Sequence, residues 1–338
     1  MKIAILDDYQ DAVRGLDCFK LVSDHEVKVF NNSARGLGQL AIRLAPFDAL
    51  VLIRERTAFN RALLAKLPNL KLISQTGKVA GHIDVVAASE LGIAIAEGVG
   101  SPVAPAELTW ALIMAAQRKI LPYAQHLQEG LWQTSSIEPA RNTLGSVLKG
   151  RTLAIWGYGK IGQMIAGYGR AFGMQILVWG SEASRAAAVA AGDKAAASRE
   201  EFFEAADVLS LHLRLAPATR GLVTAEDLAR MKPGALFVNT SRAELVADGA
   251  LEAALQQGRP GAAALDVFAE EPLPPTSILL KLPNVLATPH LGYVEQDSYE
   301  LYFRYALQNI VDFAQGNCTR LLNPEVLAHA RQGGSQGG

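Results

Sequence analysis

The chain has 338 residues, half of them apolar and 19% charged, and its formal net charge at pH 7 is −1. That length suits two domains of the usual ~100–200 residues with a sizeable buried core, and the near-zero charge gives no electrostatic reason to expect nucleic acid or an anionic membrane as partner. The start, MKIAILDDYQ, meets acids after a short apolar run and reads as a first strand, not a signal peptide, while the longest apolar stretches, such as LTWALIMAA, fall far short of the ~18–20 residues of a membrane span.

Short apolar runs recur through the first hundred residues: KIAILDD, EVKVF, DALVLIR and LKLISQTG. Helical segments alternate with them, such as Asn60–Leu67, whose Leu63, Leu64 and Leu67 share a face. Such alternation predicts βαβ units and a parallel sheet. A polar, glycine-rich bend follows at Glu97–Pro102 (EGVGSP), and Pro105 opens a helix with Glu107 in its first turn and Lys119 near its end. Residues 133–146 read as an irregular surface loop. Cys18 and Cys318 stand far apart with no metal-type spacing, so reduced thiols, a cytoplasmic location and no metal site are expected.

The most informative stretch is LAIWGYGKIG. The apolar run Leu153–Trp156 meets Gly157, Gly159 and Gly162 in G-x-G-x-x-G spacing, and Ile161, Met164, Ile165, Tyr168 and Phe172 then share one helical face. This is strand, tight turn, helix. Gly157 permits the turn, Gly159 lets a pyrophosphate approach the main chain, and Gly162 lets helix and strand pack closely, with the helix N-terminus aimed at the phosphates. Alternation then resumes with a strand at Gln175–Trp179, a helix through Ala186–Ala191 and a strand at Asp207–Leu213. Thr224 with Asp227 resembles a capping box for a helix ending near Met231, Asp248 and Gly258 bracket another helix, and ALFVN, AAALDVF and NVLATPH read as strands. Ser298–Ala314 is a helix with an aromatic-rich face, and HARQGGSQGG a flexible tail. The expected architecture is α/β, with two Rossmann-like or flavodoxin-like parallel-sheet domains. A nucleotide domain at 100–292 is inserted in a smaller domain formed by 1–99 plus 293–338, and a cleft is expected where the chain crosses between them.

Three polar residues fall at strand ends in the second half: Arg242 after ALFVNTS, Glu271 in DVFAEEP and His290 closing NVLATPH. A lone charge at such a place is usually just solvated. Three at the carboxyl ends of strands, where open parallel sheets bind ligands, point to a site.

With GYGKIG, VNTSRAELV, ALDVFAEEP and TPHLGY in this order and spacing, the chain resembles the D-isomer-specific 2-hydroxyacid dehydrogenases, from the first strand to about Pro324. That resemblance implies an NAD(P)-dependent oxidoreductase that interconverts a 2-keto acid and a D-2-hydroxy acid. Arg242 would hold the substrate's carboxylate and carbonyl oxygen, His290 would be the acid/base, and Glu271 would orient its ring and favour its protonated form. Gly157, Tyr158, Gly159, Lys160, Ile161 and Gly162 would form the dinucleotide cradle. Thr240 and Asp266 would lie beside the nicotinamide, and His212 would be structural. Gly77 matches the family's carboxylate loop, usually G-x-G-V-D-N-I-D. Here that loop reads GKVAGHID, so Val79, Gly81 and His82 depart from it, while main-chain amides near Lys78 and Val79 remain available to a carboxylate.

The second strand of the nucleotide unit ends in Gly180-Ser181, where NAD-type members carry Asp. Glu182 could still reach a ribose, whereas Ser181, Ser184 and Arg185 could take a 2′-phosphate, so NAD and NADP both stay open with a tilt toward NADP. A homodimer through the nucleotide domain is implied, with the helix from Pro105 and the 133–146 loop as its place. Two alternatives stand beside the reductase reading. One is a nucleotide-sensing, corepressor-like interaction protein of the same fold, against which the chain shows no basic patch or partner-binding extension. The other is a phosphoglycerate dehydrogenase proper, expected here without the C-terminal regulatory domain that some of those enzymes carry.

Overall fold

A computed structural model describes residues 1–34, 36–133 and 144–327. Most of the 133–146 loop and the expected tail lie outside the described residues. The chain divides into two compact units, Met1–Ser101 with Glu295–Gly338, and Pro102–Val294, so the second interrupts the first.

The first unit is built on five parallel strands, β1 (Lys2–Ile5), β2 (Glu26–Val29), β3 (Ala49–Leu52), β4 (Leu72–Gln75) and β5 (Ala94–Ala96). They pair in the order β2-β1-β3-β4-β5, the flavodoxin-like arrangement. β3, β4 and β5 are buried along their whole length, as strands covered on both faces must be. Helices α1 (Leu37–Leu44), α2 (Arg61–Leu64) and α3 (Val85–Glu90) put Leu44, Leu63, Leu64 and Ala87 into one core with Leu50, Ile73 and Ile95. Asn60 caps α2 by accepting from the Leu63 amide, and Asp84 caps α3 through the Ala87 amide.

The second unit begins with α4 (Val103–Gln117) and α5 (Ile120–Gln128). Its seven strands are β6 (Thr152–Trp156), β7 (Gln175–Trp179), β8 (Lys194–Ala195), β9 (Val208–Leu211), β10 (Leu236–Asn239), β11 (Ala262–Leu265) and β12 (Val285–Ala287). All pair in parallel, in the order β12-β11-β10-β9-β6-β7-β8. Between them run α6 (Lys160–Ala171), α7 (Glu182–Ala190), α8 (Arg199–Ala205), α9 (Ala225–Arg230) and α10 (Ala250–Gln256). The chain moves outward from β6 to β7 and β8, then returns to lay β9 on the other side of β6. Loops leaving β6 and β9 therefore diverge, which opens a crevice at their carboxyl ends. Nearly all of β6 and the whole of β9 and β10 are buried, and Phe202, Phe203 and Phe237 fill the core on one side.

The last helix, α11 (Gln296–Ala314), belongs to the first unit again. Ser74 of β4 donates to the Ala306 carbonyl at 2.8 Å, Asn309 donates to the Glu97 carbonyl at 3.1 Å, and the Asn323 side chain takes the Ile95 amide at 2.8 Å. Tyr299, Tyr302 and Phe303 form the buried part of its aromatic face.

Several element ends differ from the sequence reading for local reasons. The capping box at Thr224 and Asp227 is present in full. α4 starts two residues before Pro105, and Lys119, at φ +55°, separates it from α5, which the sequence reading did not anticipate. α7 starts at Glu182 because Ser181 caps it through the Ser184 amide, and Gly249 in the left-handed conformation, not Asp248, precedes α10. Among the described residues, no helix is long and apolar enough to cross a membrane.

Candidate active site

The glycine loop follows β6 at the point where the strand order reverses. Gly157 sits at φ +99°, and a Cβ there would meet the His212 carbonyl that follows β9. A Cβ on Gly162 would overlap the Gly157 carbonyl oxygen, so the helix can start this close only on glycine. Around Gly159 the space is open to 4 Å. α6 starts immediately after it, with no side chain capping its first amides and no acid in its first turn. Those amides remain for an anion, and the residues fit a dinucleotide's pyrophosphate. Lys160 is exposed and Ile161 half-buried on the first turn. Tyr158 turns its ring inward: it is buried, and its phenol donates to Asp193 Oδ2 at 2.6 Å. Its share in the cradle is thus its main chain. Burial first, and then the Asp193 bond, push its phenol pKa up.

The ends of β10, β11 and β12 bring the three polar residues of the sequence reading to one sheet edge. His290 holds a left-handed backbone, φ +53°, and its Nδ1 lies 2.7 Å from Glu271 Oε2. The other Glu271 oxygen accepts from the Phe268 amide at 2.9 Å. Burial alone would raise the Glu271 pKa, but the His290 bond and charge, the Phe268 amide and the Arg242 charge together bring it below the usual value. An ionised carboxylate only accepts, so the His290 Nδ1 carries a hydrogen and its Nε2 is left to face a ligand. The imidazole also meets Tyr293 edge-on, with centroids 5.6 Å apart.

Asp266, fully buried at the end of β11, works on the same turn. Its Oδ1 accepts from Thr288 Oγ1 and the Leu291 amide, both at 2.7 Å, and its Oδ2 from the Gly292 amide at 2.9 Å. Burial raises its pKa in spite of these bonds. Asp266 thereby clamps the segment that carries His290. Arg242 donates from Nη1 to the Ser241 carbonyl at 2.7 Å, and the Asn239 side chain holds the Arg242 carbonyl at 2.8 Å. Thr240 pairs its hydroxyl with Thr109 of α4 at 2.7 Å.

At the end of β7, Ser181 spends its hydroxyl on the α7 cap and on Ser184 Oγ at 3.1 Å. The Arg185 guanidinium stacks over Trp179, 5.0 Å from the ring centroid, and its Nε is buried with no partner. His212 is half-buried beside Ser210, 2.9 Å from its hydroxyl, and desolvation of its ring pulls its pKa down to about 4. It is a neutral, structural histidine.

In the first unit, the loop after β4 departs from the sequence reading. Gly77 has φ +106°, and a Cβ there would collide with the Arg54 guanidinium. The Val79 amide, expected to serve a substrate carboxylate, already donates to Glu97 Oε1 at 2.7 Å. Glu97 Oε2 takes the Lys78 ammonium at 2.7 Å. An internal carboxylate thus occupies the donor and neutralises the cation. Sequence reading placed Glu97 only in a bend and missed this role; a carboxylate 18 residues downstream carries no local signal.

Among the described residues, no three His, Cys, Asp or Glu side chains gather as a metal site would require. The model of the NAD-binding domain of D-isomer specific 2-hydroxyacid dehydrogenases matches residues 110–292. A glyoxylate reductase of Aeropyrum pernix is 38% identical over 268 residues, 78% of this chain and 80% of that protein. A D-3-phosphoglycerate dehydrogenase of Methanocaldococcus jannaschii is 35% identical over 294 residues, 86% of this chain, which spans about half (53%) of that longer protein. The crystal structure of a candidate D-3-phosphoglycerate dehydrogenase of Ralstonia solanacearum superposes with a TM-score of 0.94 at 58% identity, covering 97% of this chain and 98% of the other.

Proposed function

Since this chain belongs to the D-isomer specific 2-hydroxyacid dehydrogenase family and is an NAD-dependent oxidoreductase, we propose that it works as a 2-keto acid reductase with His290 as its acid/base. The observation that carries this is the bond between Glu271 and His290 Nδ1, which directs Nε2 outward as a proton donor. When bound, the nicotinamide supplies the hydride to the carbonyl carbon. His290 Nε2 gives its proton to the carbonyl oxygen, and in the reverse direction accepts the hydroxyl proton. Glu271 stabilises the ring while it is charged. Arg242 offers a planar, forked guanidinium to the carboxylate and carbonyl oxygen of the acid. In the first unit, the loop of Gly77, Lys78 and Val79 would offer an anion only its exposed Lys78, since Glu97 already holds the Val79 amide. The loop Gly157–Gly162 and the start of α6 hold the dinucleotide, with Thr240 beside it.

At the ribose, the absence of a carboxylate on Gly180-Ser181 and the unpartnered Nε of Arg185 support acceptance of NADPH as well as NADH, with a tilt to NADPH. A homodimer is supported by the exposed apolar side chains Ile120, Leu121, Leu127 and Trp132 on and after α5. The free thiols of Cys18 and Cys318 suit a cytoplasmic setting. A second reading, phosphoglycerate dehydrogenase proper, is favoured by the 58% identity to the Ralstonia protein.

One assay separates these readings. NADH and NADPH oxidation is followed with glyoxylate, hydroxypyruvate, pyruvate, phenylpyruvate and phosphohydroxypyruvate, for the wild type and His290→Ala. Turnover only of phosphohydroxypyruvate would establish the second reading, and wild-type rates in His290→Ala would remove the acid/base assignment. Tight dinucleotide binding with no turnover of any acid would favour a sensor. Arg185→Ala should raise the NADPH KM far more than the NADH KM, and equal effects would end the 2′-phosphate reading.

A further inference from the structure

The middle residue of the G-x-G turn is held by more than its neighbours' backbone. Tyr158 is 6% exposed and belongs to the buried cluster that includes Ile155, Ile165 and Ala188. Its phenol reaches Asp193, in the connection between α7 and β8, at 2.6 Å. The Asp193 side chain is 2% exposed, and both its oxygens take Arg170 Nη1 of α6, at 2.7 and 2.6 Å. A buried carboxylate is tolerated only when it is paired and bonded in this way. Two further bonds pin the turn: the Tyr158 carbonyl accepts from Gln163 Nε2 at 3.0 Å, and the Gly157 amide donates to the Trp179 carbonyl at 3.1 Å. The phenol joins the turn, through Asp193, to both α6 and the α7–β8 connection.

We propose that Tyr158 is a positioning residue for the dinucleotide: through Asp193 and Arg170 it fixes the Gly157–Gly159 main chain before the cofactor arrives. A turn flanked by two glycines has much conformational freedom to lose on binding, and each restraint applied beforehand lowers that cost. The inference rests on the dinucleotide reading above and extends it, because it gives a share of cofactor affinity to a buried side chain that never touches the cofactor.

The test compares Tyr158→Phe, Asp193→Ala and Asp193→Asn with the wild type, using NADH as the fluorescent ligand and glyoxylate as the keto acid. Loss of the phenol should raise the NADH Kd about five- to tenfold, the effect of losing one ordinary hydrogen bond. At saturating NADH, kcat and the glyoxylate KM of Asp193→Asn, at a position outside the cradle, should stay within about twofold of wild type, since only binding of the cofactor is weakened. Asp193→Asn, which keeps an oxygen acceptor for the phenol, should fall between wild type and Asp193→Ala. The Tyr158→Phe/Asp193→Ala double variant should be no weaker in NADH binding than Asp193→Ala alone. An unchanged Kd in Tyr158→Phe, or a parallel fall in kcat and in glyoxylate affinity in Asp193→Asn, would overturn the inference. A wild type that bound no dinucleotide at all would remove the dinucleotide reading and this inference together, whereas normal wild-type binding with an unaltered Tyr158→Phe would remove the inference alone.

Discussion

His290 Nδ1 lies 2.7 Å from Glu271 Oε2, and the carboxyl of Glu271 is held below its usual pKa. That carboxylate fixes the ring with its Nδ1 hydrogen toward Glu271, and reduction of a keto acid draws a proton from the other ring nitrogen in each turnover.

Glu271→Gln is therefore expected to lower kcat for keto acid reduction about 10²-fold, the lower end of what a positioned acid/base contributes. The KM for NADH should stay close to wild type, because Glu271 acts on the histidine ring and not on the dinucleotide. Steady-state kinetics of both proteins check this, and an unchanged kcat would count against the pairing. The lowered pKa of Glu271 also bears on stability. The folded pKa of Glu271 lies below its unfolded value, so its contribution is complete above the ordinary carboxylate range and is lost as the pH falls through the depressed value.

The two helix-side glycines of the turn should fail in different ways. Gly162→Ala drives a methyl into the Gly157 carbonyl, and is expected to cost about 2–4 kcal/mol of stability, as overpacking against backbone does. Gly159→Ala meets open space and keeps a negative φ, so its thermal midpoint should stay near wild type while NADH binding weakens. Calorimetry beside an NADH titration distinguishes them. Equal destabilisation by both would contradict the view that Gly159 is reserved for a ligand.

The unit of β6, turn and α6 was legible because its signal is local: an apolar run, three glycines and one amphipathic face within twenty residues. The capping box at Thr224 and Asp227 was legible for the same reason. β8, only Lys194–Ala195, is too short to show a period, and α5 starts after a left-handed Lys119 that breaks the pattern of α4. Arg242, Glu271 and His290 stand out in the sequence because each lies in the loop that follows a strand. The partners that complete the site do not. Glu97 reaches Val79 across 18 positions and Asp193 reaches Tyr158 across 35, both by chain reversals that no periodicity reports.

His212 gives the second unit a pH dependence of definite sign. Its folded pKa is about 4 because its half-buried ring is desolvated, whereas exposed in the unfolded chain it titrates near 6.5. The unfolded state thus binds the extra proton between these values, and stability rises with pH across that window. The full effect from pH 7 to below 4 is about 3 kcal/mol. Urea unfolding at pH 7 and pH 4.5 should show a clearly smaller pH loss in His212→Gln than in the wild type. Identical losses would show that the ring is not kept neutral by burial.

Glu97 governs what the first unit's loop can offer an anion. Its two oxygens hold the Val79 amide and the Lys78 ammonium, each at 2.7 Å, so the loop presents a compensated pair and not a free positive charge. Glu97→Gln keeps an oxygen for the Val79 amide, and hence the loop's shape, but removes the charge that cancels Lys78. Lys78 is largely solvent-exposed, which limits the gain to a screened, long-range attraction. A keto acid with a second anionic group should profit more than one without. At low salt, the KM for phosphohydroxypyruvate is expected to fall about two- to fivefold in Glu97→Gln, a range set by weak exposed charge pairs, while that for glyoxylate stays close to wild type. The difference should shrink as salt is added, since the attraction is electrostatic. Parallel changes for both acids would mean that Glu97 acts through loop shape alone. A rise for phosphohydroxypyruvate would mean that Lys78 does not face the acid's anionic end.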